Sequence, residues 1–478
     1  MAVQDLVKGE LDWHEKMNAN MHSLQNGTDN AKQKAEDAVG AVEGAIVAAR
    51  EAAQKAKQVE GQLDTKLTKA KVTEEFQEEG GYVYQMPNGT TQLKAGGGSG
   101  PTKKDFKYTI LVDNGDDGSP AKIEYFDDCL GFIPGSGASL GDWANTQLYQ
   151  EYFKPCVIQA GDGAPAYYLQ KDNMSKKEDG FDAVTTGANG DVMIEVKKLY
   201  GKFLKSGNQF KVSISNKKED DTWFCFTDFG NGEQEVAYRG AFEAGVISGA
   251  GTVMRSVSGV SPLVEITRNV GRTYARNRGT GYHQNNFYLL LLWQIMYLLI
   301  YKNKNSQTAL GQGRTLSSNT AVVKTGTLLS KPFCWGDQGG VNGVKFLGVE
   351  NFYGNVWEWV DGVCLVNKTY KMTRDPAKYN DTGNGYEMSQ GSGCTASANN
   401  GKYITKVQAT NVAGFLPAGS GGSSSTYWCD NMWFADAVQV VLFGGYWNTA
   451  ALAGAFCWDL NHTASTSTAG IGSRLCRV

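Results

Sequence analysis

The sequence predicts an α+β protein with an N-terminal coiled coil, a small β-rich module and a larger C-terminal domain with long loops. Three observations predict this class: an unbroken heptad pattern near the N-terminus, short alternating segments after it, and a second half dominated by Gly, Ser, Thr, Asn and aromatic residues. A chain of 478 residues also exceeds what one hydrophobic core usually supports. More than one structural unit is therefore expected.

Residues 31–72 carry the heptad pattern. Apolar side chains recur at alternating spacings of four and three from Ala31 to Leu63, with Lys, Glu, Gln and Arg between them. The alternative is a single amphipathic helix lying on a globular neighbour. Ten unbroken seam positions favour several chains wound together. We therefore expect a coiled-coil stalk at 31–72, preceded by an attachment segment at 1–30.

A Gly-rich segment separates the stalk from the first long strands. Residues 73–105 contain Gly-Gly-Gly-Ser-Gly-Pro, which predicts a flexible linker with at most one hairpin. Alternating segments at 106–113 and 122–126 then predict strands, and we place a β-rich module at 106–179. The Asp residues between these strands lack the later Glu of a calcium loop, so a turn is favoured over a metal site.

The most apolar run extends from Phe287 to Tyr301, spans 15 residues and contains Gln294. A helix that crosses a bilayer needs about 20 such residues. The run therefore predicts a helix buried in a protein core. Shortly before it, the segment RTYARNRG at 272–279 contains three arginines, and we expect a structural turn in which they bond to backbone carbonyls.

Charge and cysteine usage exclude several classes of function. The 46 basic and 49 acidic residues give a net charge of -3, without the positive field that nucleic acid requires. The nine cysteines contain no C-x-x-C pair, which argues against a disulfide framework or a zinc cluster. The N-terminus lacks the pattern of a secretory signal, so folding in a cytoplasm is expected. We expect no nucleic-acid partner, no membrane insertion, no metal and no cofactor.

Three blocks in the second half carry a family resemblance. They are GNVWEWVD at 354–361, FGGYWN at 443–448 and IGSRLCRV at 471–478. In this order they resemble the formylglycine-generating-enzyme-like branch of the C-type lectin fold, in which such blocks build the core. The resemblance covers about residues 180–478 and implies a C-type lectin fold there. It implies scaffold roles for Trp357, Trp359, Gly444, Gly445, Trp447 and Arg474.

The resemblance implies two alternative functions, and the first is catalysis. Enzymes of this branch oxidise a cysteine of a sulfatase to formylglycine, using a closely spaced pair of cysteines in the last segment. Here Cys457 and Cys476 lie 19 positions apart. The chain has four histidines, which are few residues from which to build an acid/base or metal site. We therefore expect no enzyme activity, and cysteine oxidation stays as an alternative.

The second function is the display of a variable surface. The segment 444–474 resembles the variable region of phage tropism determinants and related retroelement-diversified proteins, in which template adenines, mostly in Asn codons, are randomised. From Gly444 to Gly472 the chain has no Lys, Arg, Glu, Gln or Met and one charged residue, Asp459. A turn or a buried strand would also lack charge. The position between two of the motif blocks favours the variable surface.

The candidate contact residues follow from these codons. Most can arise from an AAC template by adenine replacement, Cys457 can arise from a Tyr codon, and Trp458 needs a different template. No catalytic residue and no metal ligand are predicted. The candidate ligand-binding residues are Tyr446, Asn448, Thr449, Leu452, Cys457, Trp458, Asp459, His462, Thr466, Thr468 and Gly470.

Taken together, the resemblance implies a phage tail-fibre protein that recognises a bacterial surface ligand. The expected partners are a cell-surface protein or glycan, other tail proteins at the N-terminal segment, and two further copies of the chain in a homotrimer. The expected location is the virion, after assembly in the host cytoplasm. A purely structural virion component is the remaining alternative.

Overall fold

A computed structural model describes residues 15–23, 25–30, 32–34, 82–85, 91–94 and 104–478, except 116–119, 160–163, 248, 250 and 395–400. The chain divides into two compact units, Met1–Lys103 and Lys104–Val478. In the first unit, residues 15–23, 25–30 and 32–34 are helical. Strands β1 (Tyr82–Gln85) and β2 (Thr91–Lys94) pair antiparallel. Apart from 32–34, the predicted coiled coil at 31–72 lies outside the described residues.

The second unit is built mainly from strands. Its strands are β3 (Lys107–Asp113), β4 (Ile123–Asp127), β5 (Phe153–Ile158), β6 (Pro165–Tyr168), β7 (Asp191–Lys197), β8 (Tyr200–Ser206), β9 (Gln209–Ser215), β10 (Phe224–Cys225), β11 (Val236–Glu243), β12 (Tyr282–Gln284), β13 (Lys345–Phe346), β14 (Val349–Glu350), β15 (Trp357–Val366), β16 (Thr369–Met372), β17 (Met388–Gly391), β18 (Lys402–Val407), β19 (Pro417–Ser420), β20 (Asn431–Phe434), β21 (Gln439–Phe443), β22 (Trp458–His462), β23 (Ile471–Gly472) and β24 (Arg474–Arg477). Its helices are α1 (Gln147–Tyr152), α2 (Arg268–Arg276), α3 (Phe287–Tyr301) and α4 (Ser306–Ala309), with 3-10 turns at Gly141–Asn145, Pro376–Lys378 and Ala450–Leu452.

These strands form three larger sheets. The first has the order β10-β8-β9-β3-β4 and the second the order β12-β24-β11-β7-β5-β6, both antiparallel throughout. The third has the order β17-β16-β15-β21-β22-β20-β18-β19, and β23 pairs with β15 in parallel. Strands on both sides of the predicted boundary at 179/180 share the first two sheets. The packing of Lys104–Val478 therefore shows no break at that position.

Helix α3 is the core helix that the apolar run predicts. All of its residues are buried, since a helix that is apolar all round must be covered on every side. The Asn286 side chain caps its first turn by accepting from Tyr288 N and Leu289 N, and Lys302 ends it with a φ of 51°. Gln294 Nε2 donates to Ala455 O at 2.7 Å. Within the described part of the chain, no helix is long and apolar enough to cross a membrane.

The arginine-rich segment differs from the prediction of a turn. Residues Arg268–Arg276 form α2, and Arg272 makes ion pairs with Asp361 at 2.7 Å and Asp381 at 2.8 Å. Of the three arginines in the segment at 272–279, Arg276 is the one that donates to a backbone carbonyl, Pro376 O, among the described residues. The turn prediction was wrong because distant carboxylates, invisible in the local sequence, pair with the guanidinium groups and hold the helix against the third sheet.

The second unit is thus rich in strands and contains little helix, in agreement with a C-type-lectin-like fold. It also brings the three motif blocks together. Glu358 of the first block pairs with Phe443 of the second across β15 and β21, and Trp357 pairs with Ile471 of the third.

Candidate ligand-binding groove

The segment that resembles a variable region lines a cavity of about 560 Å³, which we call the groove. This volume lies within the range of small-molecule sites. The walls come from β15, β20, β22 and the loops on either side of β22. The lining residues are Trp357, Trp433, Tyr446, Trp447, Asn448, Thr449, Leu452, Asp459, His462, Thr468, Ala469, Gly470 and Ile471.

Two aromatic pairs dominate the walls of the groove. Trp357 and Trp433 meet nearly at right angles with ring centroids 5.7 Å apart, and Tyr446 and Trp447 meet with centroids 5.1 Å apart. Large rings offer wide contact area at low cost in side-chain entropy. Among the described residues, the buried Trp447 Nε1 has no hydrogen-bond partner. The groove therefore combines apolar ring faces with a buried, unpartnered donor in its wall.

Asp459 and His462 form the polar part of the groove. His462 Nε2 lies 3.2 Å from Asp459 Oδ2, and Asp459 Oδ1 accepts a hydrogen bond from Asn461 N at 3.1 Å. The hydrogen bond to Asp459 raises the pKa of His462, against the opposing effect of partial burial. Protonated His462 therefore offsets the carboxylate charge in the groove.

Glycine conformation sets the path of the chain into the groove. Gly444 and Gly445 have φ angles of +96° and +86°, which side chains other than glycine rarely adopt. A Cβ atom at Gly445 would also lie 2.6 Å from Ala453 Cβ. Just beyond this turn, Thr449 Oγ1 accepts from Tyr446 N at 2.8 Å. The backbone at Gly444 and Gly445 thus requires residues without a side chain.

The backbone of the segment is held largely by groups outside it. Asn319 Nδ2 donates to Trp447 O at 2.9 Å, and Gln307 Nε2 donates to Ala450 O at 2.8 Å. Asp430 Oδ2 accepts from Phe456 N at 2.7 Å, and the backbone N–H of Trp357 donates to Gly470 O at 2.9 Å. None of these four bonds uses a side chain of the segment. Within the segment, Thr449 Oγ1 and Asp459 Oδ1 also accept from backbone N–H groups. Groove side chains other than these two can therefore change without removing the contacts that fix the loops.

A buried charge network supports β15 from the face opposite the groove. Arg474 Nε donates to Glu358 Oε1 at 2.7 Å, and Asn285 Nδ2 donates to Glu358 Oε2 at 2.8 Å. Arg474 Nη2 also donates to Glu350 O at 2.9 Å. Trp359, which by strand alternation lies on the same face of β15 as Trp357, is fully buried and donates from Nε1 to Ile266 O at 3.0 Å. Trp359 and Arg474 are therefore both held by buried hydrogen bonds.

Most of the predicted contact residues meet in the groove. Those that line it are Tyr446, Asn448, Thr449, Leu452, Asp459, His462, Thr468 and Gly470. Thr466 lies outside its walls, where its N–H donates to Thr463 O in a turn.

Two predicted contact residues do not reach the groove. Cys457 and Trp458 are both 0% exposed. Trp458 packs against Phe443 with ring centroids 5.3 Å apart and donates from Nε1 to Phe415 O at 3.1 Å. Side chains alternate between the two faces of a strand, so Asp459 faces the groove while Trp458 enters the core. The assignment of Cys457 and Trp458 to the contact surface was therefore wrong.

Three tryptophans that line the groove were not predicted as contact residues. Trp357 and Trp447 were predicted as scaffold, but both line the cavity. Trp433 was not predicted at all, although it is half-buried in the groove wall. It lies opposite Asp459 because β20 pairs with β22 in parallel. The spacing of aromatic residues within β20 does not predict its pairing with β22.

No family model matches the chain, and no curated protein matches it. Similar solved structures include PvdO from Pseudomonas aeruginosa, at 9% identity and a TM-score of 0.26, covering 62% of this chain and 99% of that chain. The P3c variant of the Major Tropism Determinant matches at 12% identity and a TM-score of 0.23, covering 72% and 85%. Its U1 variant matches at 13% identity and a TM-score of 0.22, covering 74% and 91%.

Proposed function

We propose that this chain is a phage tail-fibre receptor-binding protein, located in the virion, and that its groove binds a molecule on the bacterial surface. One observation carries the proposal. Eight of the side chains that the sequence resemblance marks as variable gather in one cavity, while groups outside the segment hold part of its backbone. Such an arrangement permits changes of specificity without changes of fold.

The groove is suited to non-covalent recognition of a protein or a glycan. Aromatic side chains such as Trp433 and Tyr446 offer contact area, and these residue types dominate binding hot spots. Asp459 and His462 supply directional polar contacts. Recognition by this mixture depends on ligand shape as well as on hydrogen bonding.

We also propose that three copies of the chain assemble and that the N-terminal segment contacts other tail proteins. The heptad pattern at 31–72 supports this part of the proposal. Three heads on one stalk would bind a cell surface more tightly than one head, by on the order of a hundredfold or more where geometry allows simultaneous binding. Weak affinity at each groove would then suffice for adsorption.

The proposal includes binding without catalysis. Cys457 is buried, and burial raises the pKa of its thiol well above the usual range. Burial likewise raises the pKa of Cys476 to about 11. A redox-active cysteine instead needs access to its substrate and a lowered pKa. Both observations favour a binding protein over a cysteine oxidase.

Cell binding by groove variants tests the proposal. We would label the full chain and measure its binding to a panel of bacterial strains, then repeat the measurement with Tyr446→Ala plus Leu452→Ala. Loss of two groove contacts should weaken binding about tenfold or more. The matched control is Ser465→Ala plus Ser467→Ala, in the same segment but outside the groove walls, and it should bind like the unaltered chain.

Unchanged adsorption of the groove variant would contradict the receptor-binding proposal and favour a structural virion component. The DNA beside the gene offers an independent check. We expect a near-identical repeat of the codons for 444–474, differing at adenines, next to a reverse-transcriptase gene.

A further inference from the structure

The permanent charge in the wall of the groove is negative. Asp459 is the acidic residue of the wall, His462 is the residue that can become positively charged, and neither Lys nor Arg lines the cavity. Among the described residues, His462 is also the ion-pair partner that Asp459 has. Next to the wall, the exposed Glu265 donates from its backbone N–H to Thr468 O at 3.0 Å. A second acidic residue therefore lies beside the groove.

The Asp459 carboxylate has room for a further donor. With 7% of its side chain exposed, water screens its charge less than it screens a surface carboxylate. Oδ1 accepts from Asn461 N at 3.1 Å, and Oδ2 lies 3.2 Å from His462 Nε2. The two oxygens of a carboxylate together offer about four acceptor positions. A cation in the groove can therefore share this carboxylate with Asn461 and His462.

Aromatic rings line the same cavity as this carboxylate, namely Trp357, Trp433, Tyr446 and Trp447. A cation over the face of a Trp or Tyr ring is attracted by the ring electrons, most strongly where water is excluded. The described part of the chain has such contacts with Lys or Arg at Trp223, Trp293, Trp335 and Trp428. Among the described residues, no Lys or Arg lies over a ring of the groove. The chain's own described cations therefore leave these rings to a ligand.

The rest of the wall includes the apolar side chains of Leu452, Ala469 and Ile471. Lys and Arg side chains combine an apolar stem with a charged head. We infer that the groove binds a lysine or arginine side chain of a protein on the bacterial surface, with the stem along the apolar wall and the charged head between Asp459 and the aromatic rings. This inference rests on the proposed function and names the chemical class of its ligand.

Other ligands match fewer of these features. A neutral sugar stacks on aromatic rings but does not gain the charge interaction with Asp459. An amino sugar carries an ammonium group but lacks the long apolar stem. The combination of one carboxylate, several rings and an aliphatic wall therefore favours a protein side chain.

Binding of small cationic probes to the full chain tests the inference. Ligand-observed NMR would compare Nα-acetyl-lysine amide and Nα-acetyl-arginine amide with their neutral counterparts, Nα,Nε-diacetyl-lysine amide and Nα-acetyl-citrulline amide. At least one cationic probe should bind, and its neutral counterpart should bind about tenfold more weakly. D-glucosamine represents the other source of an ammonium group and should bind more weakly than the preferred amino-acid probe.

Two variants locate the probe in the groove. Asp459→Asn should weaken binding of the preferred probe about tenfold, and Trp433→Leu should weaken it roughly threefold to tenfold. The matched controls are Asp436→Asn and Trp335→Leu, which make the same changes at an exposed carboxylate and a half-buried ring outside the groove, and they should leave the affinity unchanged. The melting temperature of each variant is measured first, and Trp433→Leu carries the test if Asp459→Asn does not fold.

Failure of both cationic probes to bind the unaltered chain would overturn the inference. So would equal binding of the neutral counterparts, tighter binding of D-glucosamine, or unchanged affinity of both groove variants. Protease treatment of the cells should abolish adsorption of the chain, and adsorption that persists would also overturn a protein ligand.

Adsorption measured in parallel separates this inference from the receptor-binding proposal. If the probes do not bind but Tyr446→Ala plus Leu452→Ala still weakens adsorption, the receptor role stands and the ligand class is wrong. If the probes bind but that variant adsorbs like the unaltered chain, the groove is a cation site and the receptor role is wrong.

Discussion

The two faces of the β20–β22 strand pair differ in what holds their side chains. On one face Trp458 is completely buried, packs against Phe443 and donates a hydrogen bond to Phe415 O. On the other face Trp433 is half-buried and lines the groove beside Asp459. Strand alternation therefore separates a fixed framework from an exchangeable surface within a few residues. Substitutions on the groove face should therefore be compatible with folding, because Trp458 and its contacts lie on the opposite face of the strand.

Matched tryptophan substitutions give the largest expected difference between the two faces. Trp458→Ala leaves a large cavity in the core, and we expect the free energy of unfolding to fall by about 3–5 kcal/mol. Trp433→Ala removes a ring that is already partly in solvent, and we expect a loss of roughly 1 kcal/mol. Urea denaturation followed by near-UV circular dichroism measures both.

Of the two faces, the groove face should matter more for binding to cells. Trp433→Ala should reduce cell binding about tenfold, because tryptophan is prominent among binding hot spots. An equal loss of stability in the two variants would show that the faces are not distinct. An unchanged cell affinity of Trp433→Ala would remove this residue from the contact surface.

The same contrast explains which features could be predicted from the sequence. Helix α3 was predictable because its signal is local: a continuous apolar run can only be buried. Strands β3 and β4 were predictable from alternation, within one or two residues of their ends. The blocks around Gly444 and Arg474 were predictable from their resemblance to a family, and the structure brings them together around β15.

Features that depend on distant pairing could not be predicted. Trp433 enters the groove through the parallel pairing of β20 with β22, which nothing in its own segment indicates. Trp458 was placed with the contact residues because it lies within the segment 444–474, and position along the segment does not indicate which face of a strand a residue occupies. The arginines of α2 find their carboxylate partners about 90 to 110 positions further along the chain.

Two positions inside the groove, Tyr446 and Gly470, lie close enough to restrict each other. A Cβ atom at Gly470 would lie 2.5 Å from the Tyr446 ring. Gly470→Ala should therefore displace Tyr446 and lower the free energy of unfolding by about 1–3 kcal/mol. With Tyr446→Ala already present the added methyl group has space, so the double variant should recover about 1–2 kcal/mol relative to the sum of the single changes.

A double-mutant cycle by urea denaturation measures this coupling. Gly391→Ala is the matched control, because a Cβ atom there meets nothing within 4 Å and its cost should be independent of Tyr446. Strict additivity of Gly470→Ala and Tyr446→Ala would show that the two positions vary freely. Coupling would mean that a bulky residue at 446 restricts 470 to glycine.

The smallest expected effect is a pH dependence of stability, which the polar residues of the groove should cause and its aromatic residues should not. The hydrogen bond to Asp459 raises the pKa of His462 above its ordinary value of 6.5. The folded state therefore binds the proton more tightly than the unfolded state does. The resulting stabilisation is complete below about pH 6.5 and is lost as the pH rises through the folded-state pKa. Because the His462 side chain is 34% exposed, solvent screening should keep it under about 1 kcal/mol.

Titration of the imidazole by NMR, together with urea denaturation between about pH 5 and pH 8, measures this contribution. Asp459→Asn should lower the pKa of His462, because burial then acts without the opposing carboxylate. Raising the pH should make the groove more negative as His462 loses its proton, whereas the contacts of Trp357 and Trp433 carry no charge and should not respond. A His462 pKa that Asp459→Asn leaves unchanged would contradict this origin of the shift.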